Sequence, residues 1–242
     1  MGLTIQQTIL EQDYHEVSAS QQGILGSRAV TKDGREFRYA LAGATTLALG
    51  KLAQAPTLVA NHQVVAVAAA VAAGATKITA TLGATAATSD QYAGGYVNIT
   101  DSAGAGQALL IRGNSAAASS GVITLFLDNP VTTALTTGSK ANLTRNQFGG
   151  AVIAATSTID LILGVPQIAI TAANYGWVQT RGISSVLVNG TPTVGAGVIS
   201  SATTAGALDV EGTSAVTPRL GVIVNNAAVS TKYPVVNLSI LN

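Results

Sequence analysis

Between residues 61 and 148 the chain is built largely of alanine, threonine, valine and glycine, and glycine recurs at Gly83, Gly94-Gly95, Gly104, Gly106, Gly113, Gly121 and Gly138. That punctuation constrains the fold more than any other feature. Glycine in a helix interior costs about 1 kcal/mol relative to alanine, whereas in a tight turn it supplies backbone angles that other residues resist. Short apolar runs lie between the glycines, at 64–71, 77–82, 95–99, 107–112, 122–127 and 140–143. Short runs spaced about 10–15 residues apart, with glycine-bearing turns, predict an all-β sandwich or barrel. Alanine alone favours helix. Here threonine, valine and glycine are mixed evenly through the stretch, and no charged stripe recurs at the 3.6-residue period, so we reject helix. Residues 84–93, with Ser89-Asp90, are the exception and are expected as a short helix or a turn.

Residues 149–242 share this texture. Strands are expected at 151–155, 167–171, 176–181, 185–188, 197–200, 207–211, 219–223 and 235–241, and Asn189-Gly190 is a two-residue hairpin signal. In the last run Val236, Leu238 and Ile240 alternate with Asn237 and Ser239, the pattern of a half-buried strand. Upstream, Lys32-Asp33-Gly34 reads as a turn. Residues 36–40 then alternate, with Phe37 and Tyr39 on one face, and a further short strand is expected over 47–52. The fold class that follows is all-β, with two β-sandwich or barrel-like lobes and an extended N-terminal arm. Residues 1–25 form the arm, residues 26–60 plus 149–242 form one β domain, and residues 61–148 form a second β domain inserted into it.

The only tryptophan lies in the run Asn174-Tyr175-Gly176-Trp177-Val178-Gln179-Thr180-Arg181-Gly182. Aromatics make up only 4% of the chain, and large rings dominate core energetics. Trp177 is therefore expected to be the packing centre of its lobe, the alternative being an exposed ring that stacks on a ligand.

Charge is the second constraint. The 242 residues include 12 basic and 11 acidic side chains, for a net charge of +1. A compact monomer of this mass exposes roughly 10,000 Å², so each charge serves roughly 430 Å², against roughly 165 Å² at ordinary composition. Such a surface is poorly protected against association. Either much of it is buried against other subunits, or Thr, Ser, Asn and Gln carry the solvation. Residues 1–25 hold Glu11, Asp13, Tyr14, His15 and Glu16. They read as a solvated tail or as an arm laid on a neighbouring subunit, and in the second case Ile5, Ile9, Leu10 and Tyr14 are the candidate interface residues. Neither lobe is expected to need this segment in order to fold.

Several classes of function find no support. No basic stripe or acidic tail steers nucleic acid. The longest apolar run, 64–73, is too short to span a bilayer as a helix, and residues 1–7 do not read as a secretory signal. Without cysteine there are no disulfides, thiolate nucleophiles or sulfur-rich metal sites. A hydrolytic triad needs a base beside a nucleophile; the two histidines, His15 and His62, fall in segments that read as peripheral, and neither lies near a G-x-S-x-G elbow. Asp209 and Glu211 would share one face of a strand, the spacing a glycosidase pair could use, but a solvated strand face explains them as well. Gly104-Ala105-Gly106 and Gly195-Ala196-Gly197 do not continue into a phosphate-binding motif and read as turns. No catalytic, cofactor-binding or metal-binding residue is assigned, no cofactor is expected, and the chain is not expected to be an enzyme.

Three stretches together carry a resemblance. One is Asp33-Gly34-Arg35-Glu36-Phe37-Arg38-Tyr39-Ala40 with the following Gly50-Lys51-Leu52 and Pro56. Another spans residues 64–95, with Gly74-Ala75-Thr76-Lys77-Ile78-Thr79 and Asp90-Gln91-Tyr92-Ala93-Gly94-Gly95-Tyr96. The third is the run around Trp177. The combination resembles virion structural proteins of tailed bacteriophages, of the head-decoration or capsid-cement type. The resemblance implies a homo-oligomer, most often a trimer, made in the host cytoplasm and bound to the major capsid protein on the head exterior, with neither nucleic acid nor membrane as partner. Two rivals stand beside it. One is a tail, baseplate or fibre component that binds a host receptor through exposed aromatics. The other is a glycan hydrolase on a β scaffold, for which only Asp209 with Glu211 qualify.

Overall fold

The computed structural model describes residues 7–8, 13–157, 161–212, 217–225 and 231–240. Strand accounts for 41% of the chain and helix for 3%. The fold is all-β with two lobes, each containing a closed, barrel-like sheet. Residues 84–93 form turns, with no helix. The chain divides into two compact units, one comprising Met1–Pro56 with Phe148–Asn242 and the other Thr57–Gln147. In chain order the first unit opens with β1 (Gln7–Thr8), β2 (Arg28–Val30), β3 (Glu36–Ala42) and β4 (Ala53–Gln54). The second unit holds β5 (Val65–Val67), β6 (Lys77–Thr81), β7 (Tyr96–Asp101), β8 (Ala108–Asn114), β9 (Val122–Leu127) and β10 (Lys140–Thr144). The first unit then resumes with β11 (Gly149–Ile153), β12 (Ile162–Pro166), β13 (Tyr175–Ser185), β14 (Gly197–Ser200), β15 (Leu208–Val210), β16 (Gly221–Ile223) and β17 (Val235–Ser239).

The second unit is a six-stranded antiparallel barrel in the order β10-β5-β6-β9-β8-β7, closed between β7 and β10. Alternate residues point inward, as the two-residue period of a strand requires. Ile78 and Ala80, Val97 and Ile99, Leu109 and Ile111, Ile123 and Leu125, and Ala141 and Leu143 fill the interior. A barrel this narrow is filled by side chains of mixed small and medium size, which is what the alanine-rich sequence supplies. Closure depends on Gly95. A Cβ there would lie 2.2 Å from the carbonyl oxygen of Thr144, beside the Tyr96–Thr144 pair that joins β7 to β10.

The first unit is an eleven-stranded sheet, β1-β2-β3-β11-β4-β12-β13-β17-β16-β14-β15, in which β13 also pairs with β3. That pairing closes a ring of five strands, β3-β11-β4-β12-β13. Ala40, Ala42, Ala53, Ala151, Leu163 and Val178 pack together there with Leu47, Phe148 and Ile170. A second core, including Leu52, Val186, Val198, Leu208, Ile223, Val236 and Leu238, lies where the far end of β13 meets β17, β16, β14 and β15.

Several local expectations fail for identifiable reasons. The strand expected at 167–171 lies at Ile162–Pro166 instead, while Ile170 makes a single bridge to Leu47. All five residues of β12 are buried. A strand covered on both faces loses its alternation, whereas Ile168 and Ile170 imitate one. Residues 47–52 likewise contribute one bridge, and the strand follows at β4. Asn189-Gly190 does turn the chain, with Gly190 at φ +80°, but it does not form a two-residue hairpin. Val188 bridges to Leu208 and to Lys232, and the Asn189 amide donates to Asp209 and Thr203. His62 is not peripheral, since it is fully buried in the barrel unit.

Candidate functional site

Because residues alternate across a strand, β3 and β13 present two different faces. Ala40, Ala42 and Val178 enter the five-stranded ring. Phe37, Tyr39 and Trp177 fall on the opposite face with Tyr175, and Phe37, Tyr39 and Trp177 are buried there with Tyr14 and Ala29. Register places Trp177 directly across from Tyr39. Their ring centroids are 5.0 Å apart at 62°, and Tyr39 also lies parallel to Tyr175 at 6.0 Å and 11°. Both arrangements are favoured by ring quadrupoles. Trp177 is 8% exposed.

The cover over this face is the chain's own N-terminal segment. Tyr14, expected among the residues an arm would offer to a neighbouring subunit, instead stacks on Phe37 at 4.8 Å and is buried in its own chain. An aromatic ring gains more from an apolar face within reach than from solvent, and the turn Asp13–His15 delivers it there. Ile5, Ile9 and Leu10 lie outside the described residues. The segment is pinned at two further points. Ser18 and Tyr175 exchange backbone hydrogen bonds of 3.0 and 2.8 Å. The Gln22 amide N–H donates to the Tyr39 hydroxyl at 2.9 Å. Residues 13–25 are therefore part of the packing of this unit.

Between the pinned segment and the sheet runs a groove of about 180 Å³. Tyr39, Tyr175 and Trp177 line it together with Asp13, Glu16, Ser18, Gln22 and Gly23. Further along the same face, Arg35 lies 4.9 Å from the centre of the Tyr14 ring and 5.9 Å from that of Phe37. Its Nε donates to Asp33 at 2.7 Å and its Nη1 to the Tyr14 hydroxyl at 3.3 Å. Donation from the Thr31 hydroxyl, reinforced by Arg35, holds the Asp33 carboxyl below the usual carboxylate range against the opposing effect of desolvation. At the edge, Arg28 donates twice to Glu36, and Arg181 lies 3.6 Å from the same carboxylate.

The other sequence candidates have structural partners. The His62 Nε2 faces the Thr85 carbonyl at 2.9 Å, and its Nδ1 meets the Tyr92 hydroxyl. A carbonyl can only accept, so Nε2 is assigned the proton and Nδ1 accepts from Tyr92. Burial pushes the Tyr92 hydroxyl above the usual tyrosine range, against the opposing pull of Arg145. His62 thus locks a turn to the barrel core. Asp209 accepts from Asn189 at 2.8 Å and from the Ala202 N–H at 3.3 Å, while Glu211 pairs with Arg219. Among the described residues no three His, Asp or Glu side chains converge as a metal site, and no helix is long and apolar enough to cross a membrane.

No protein-family model, curated protein or solved structure matches the chain. The site therefore rests on its own geometry. Sequence reasoning singled out Trp177 and the shared face of Phe37 and Tyr39, but it missed Glu16, Gln22 and Gly23 as part of a groove. The available signal was the pair of two-residue aromatic spacings, 37/39 and 175/177; what could not be read was that those two strands lie side by side.

Proposed function

We propose that the chain is a structural virion protein that binds the outer surface of a major-capsid lattice as a homo-oligomer, most simply a trimer, and stabilises the head. The observation that carries this reading is the surface. On a chain so poor in charge, several large apolar side chains stand exposed, each about half open to solvent. They include Tyr96 and Val122 on the barrel, and Ile183 and Tyr233 in the first unit. Scattered apolar side chains are ordinary on a protein surface, but here they stand among few charges that would oppose association. On a lattice, many weak contacts of this kind add up through repetition. The three stretches that resemble head-decoration proteins supply the kind of partner.

The test is to locate the chain on purified particles by gold-labelled antibody and cryo-electron microscopy, and to co-pellet the purified protein with emptied capsids. Labelling of the head exterior and saturable pelleting are expected. Labelling confined to the tail would replace this reading with receptor binding, and absence from particles with no pelleting would end it.

A further inference from the structure

Four strands of the barrel unit present an outer patch in which rings and cations adjoin. Along β6, β9, β8 and β7 the residues that alternate with the packed interior face outward, among them Lys77, Phe126, Arg112, Leu110 and Tyr96. Register sets Lys77 across from Phe126 and Leu110 across from Tyr96. Arg112 stands beside Phe126 at a bulge, where β8 advances from Ile111 to Gly113 while β9 advances only from Leu127 to Phe126. A bulge re-aims a side chain, and here the extra residue is an exposed arginine. The rings on either side of it are open, Phe126 at 39% and Tyr96 at 50%. Arg112 also differs from the other arginines of the chain. Arg28, Arg35, Arg181 and Arg219 meet carboxylates, Arg38 donates to the Gly26 carbonyl, and Arg145 donates to the Tyr92 hydroxyl. Among the described residues neither Arg112 nor Lys77 has such a partner. We infer that this patch docks an acidic segment of a partner protein, with a carboxylate on the Arg112 guanidinium and an apolar side chain against Phe126 and Tyr96.

Charge complementarity names the chemistry of the partner. The planar fork of a guanidinium matches the two oxygens of a carboxylate, and Lys77 adds a second positive charge on the far side of Phe126. Leu110 and the two rings supply apolar area, so a segment that carried charge alone would leave much of the patch unused. A nucleic-acid strand fits less well. Its affinity comes from many phosphate contacts, whereas the patch offers only Arg112 and Lys77, and exposed Asp128, whose N–H donates to the Leu110 carbonyl at 3.1 Å, puts a negative charge at its edge. A second copy of the chain also fits less well, because the carboxylates of Asp33, Glu36, Asp209 and Glu211 are already engaged within it. Strands of a closed barrel carry the patch, so it is formed before binding, which reduces the ordering cost. The inference deepens the capsid-binding reading and rests on it for the identity of the partner; its test uses no capsids, so the two can fail separately.

Nuclear magnetic resonance reads the patch directly. The intact protein is prepared with isotope-labelled arginine, and the Arg112 Nε–H signal is assigned by its loss in Arg112→Gln. The probes are acetyl-Glu-Leu-Glu amide, its neutral counterpart acetyl-Gln-Leu-Gln amide, and a short oligothymidylate. A saturable shift of the Arg112 signal is expected with the acidic peptide at roughly millimolar concentration, as suits one small contact, and none with the glutamine peptide. Raising the salt should weaken binding. Arg112→Gln, followed through the peptide's leucine methyl signals, should weaken it about 2–5-fold. Phe126→Thr, which keeps a strand-favouring residue but removes the ring, should do so by about the same factor. Circular dichroism confirms that each variant folds. No shift at Arg112, an equal shift with the glutamine peptide, or unchanged binding to Arg112→Gln would overturn the inference. So would tighter binding of oligothymidylate, which would make the patch a nucleic-acid site. A change in the sedimentation of Arg112→Gln without any probe would overturn it in favour of a second copy as the occupant.

Discussion

Replacing Trp177 with alanine tests the central packing argument. The indole is 8% exposed. A large aromatic side chain buries about 150–250 Å², and at about 25 cal/mol per Å² most of that area contributes roughly 4–6 kcal/mol. Alanine keeps about 1 kcal/mol of this through its methyl group. The edge contact with Tyr39 at 5.0 Å contributes about 0.5–1.5 kcal/mol more. Working the other way, the adjoining groove lets water into part of the space the indole leaves, which limits the cavity penalty. These terms sum to about 3.5–6.5 kcal/mol, an upper estimate because the unfolded chain already buries part of the ring. A loss of about 3–5 kcal/mol is therefore expected, the range seen for buried Trp→Ala changes. With a urea slope of about 2 kcal/mol per molar, the unfolding midpoint of the unit that holds Trp177 should fall by about 1.5–2.5 M. Far-ultraviolet circular dichroism follows it, since the variant has no tryptophan. Trp177→Phe, which keeps one ring against Tyr39, should lose less than half as much. Before any mutation, wild-type emission should lie to the blue of free tryptophan in water. A midpoint shift below about 0.5 M, or wild-type emission at the free value, would refute the burial argument.

Deleting residues 1–25 should shift Trp177 emission to the red and lower the urea midpoint, because it strips Tyr14 from Phe37 and the wall from Tyr39; unchanged values would show that the segment is dispensable. Tyr92→Phe leaves the buried Nδ1 of His62 without its donor, so thermal or urea unfolding should show a loss of about 1–3 kcal/mol, and a neutral result would contradict the assigned bond. Glu36 is held below the usual carboxylate range first by hydrogen bonds from Arg28, with Arg181 and Arg38 adding to it. A depressed value means that the stabilisation is present above the unfolded pKa of about 4.3 and is lost as the pH falls through the folded value. The stability advantage of wild type over Glu36→Gln should therefore shrink as the pH is lowered below about 4, and an advantage independent of pH would refute the ion-pair account.

How far the sequence reaches differs from element to element. Glycine at Gly83, Gly94-Gly95, Gly113 and Gly121, with β-branched runs between, was enough to place the barrel strands, and β9 and β14 fall at the residues expected. Those features are local, since a turn needs its glycine and a half-buried strand needs its alternation wherever the chain goes next. The same local logic misplaced β12, because a strand buried on both faces carries no alternation, and it turned Asn189-Gly190 into a hairpin although the pairing partners of Val188 lie at Leu208 and Lys232.

The groove depended still more on tertiary structure. The sequence by itself determined that Phe37 and Tyr39 share a face, that Tyr175 and Trp177 share a face, and that the chain is short of charge. Only the tertiary structure decided that those two faces are one. It did so through the antiparallel register that sets Trp177 across from Tyr39, which no local spacing encodes. It also decided that the acidic N-terminal segment lies on that shared face instead of extending into solvent. An aromatic surface this large must be covered, and within its own chain Tyr14 can cover it without the entropy loss of recruiting a second molecule.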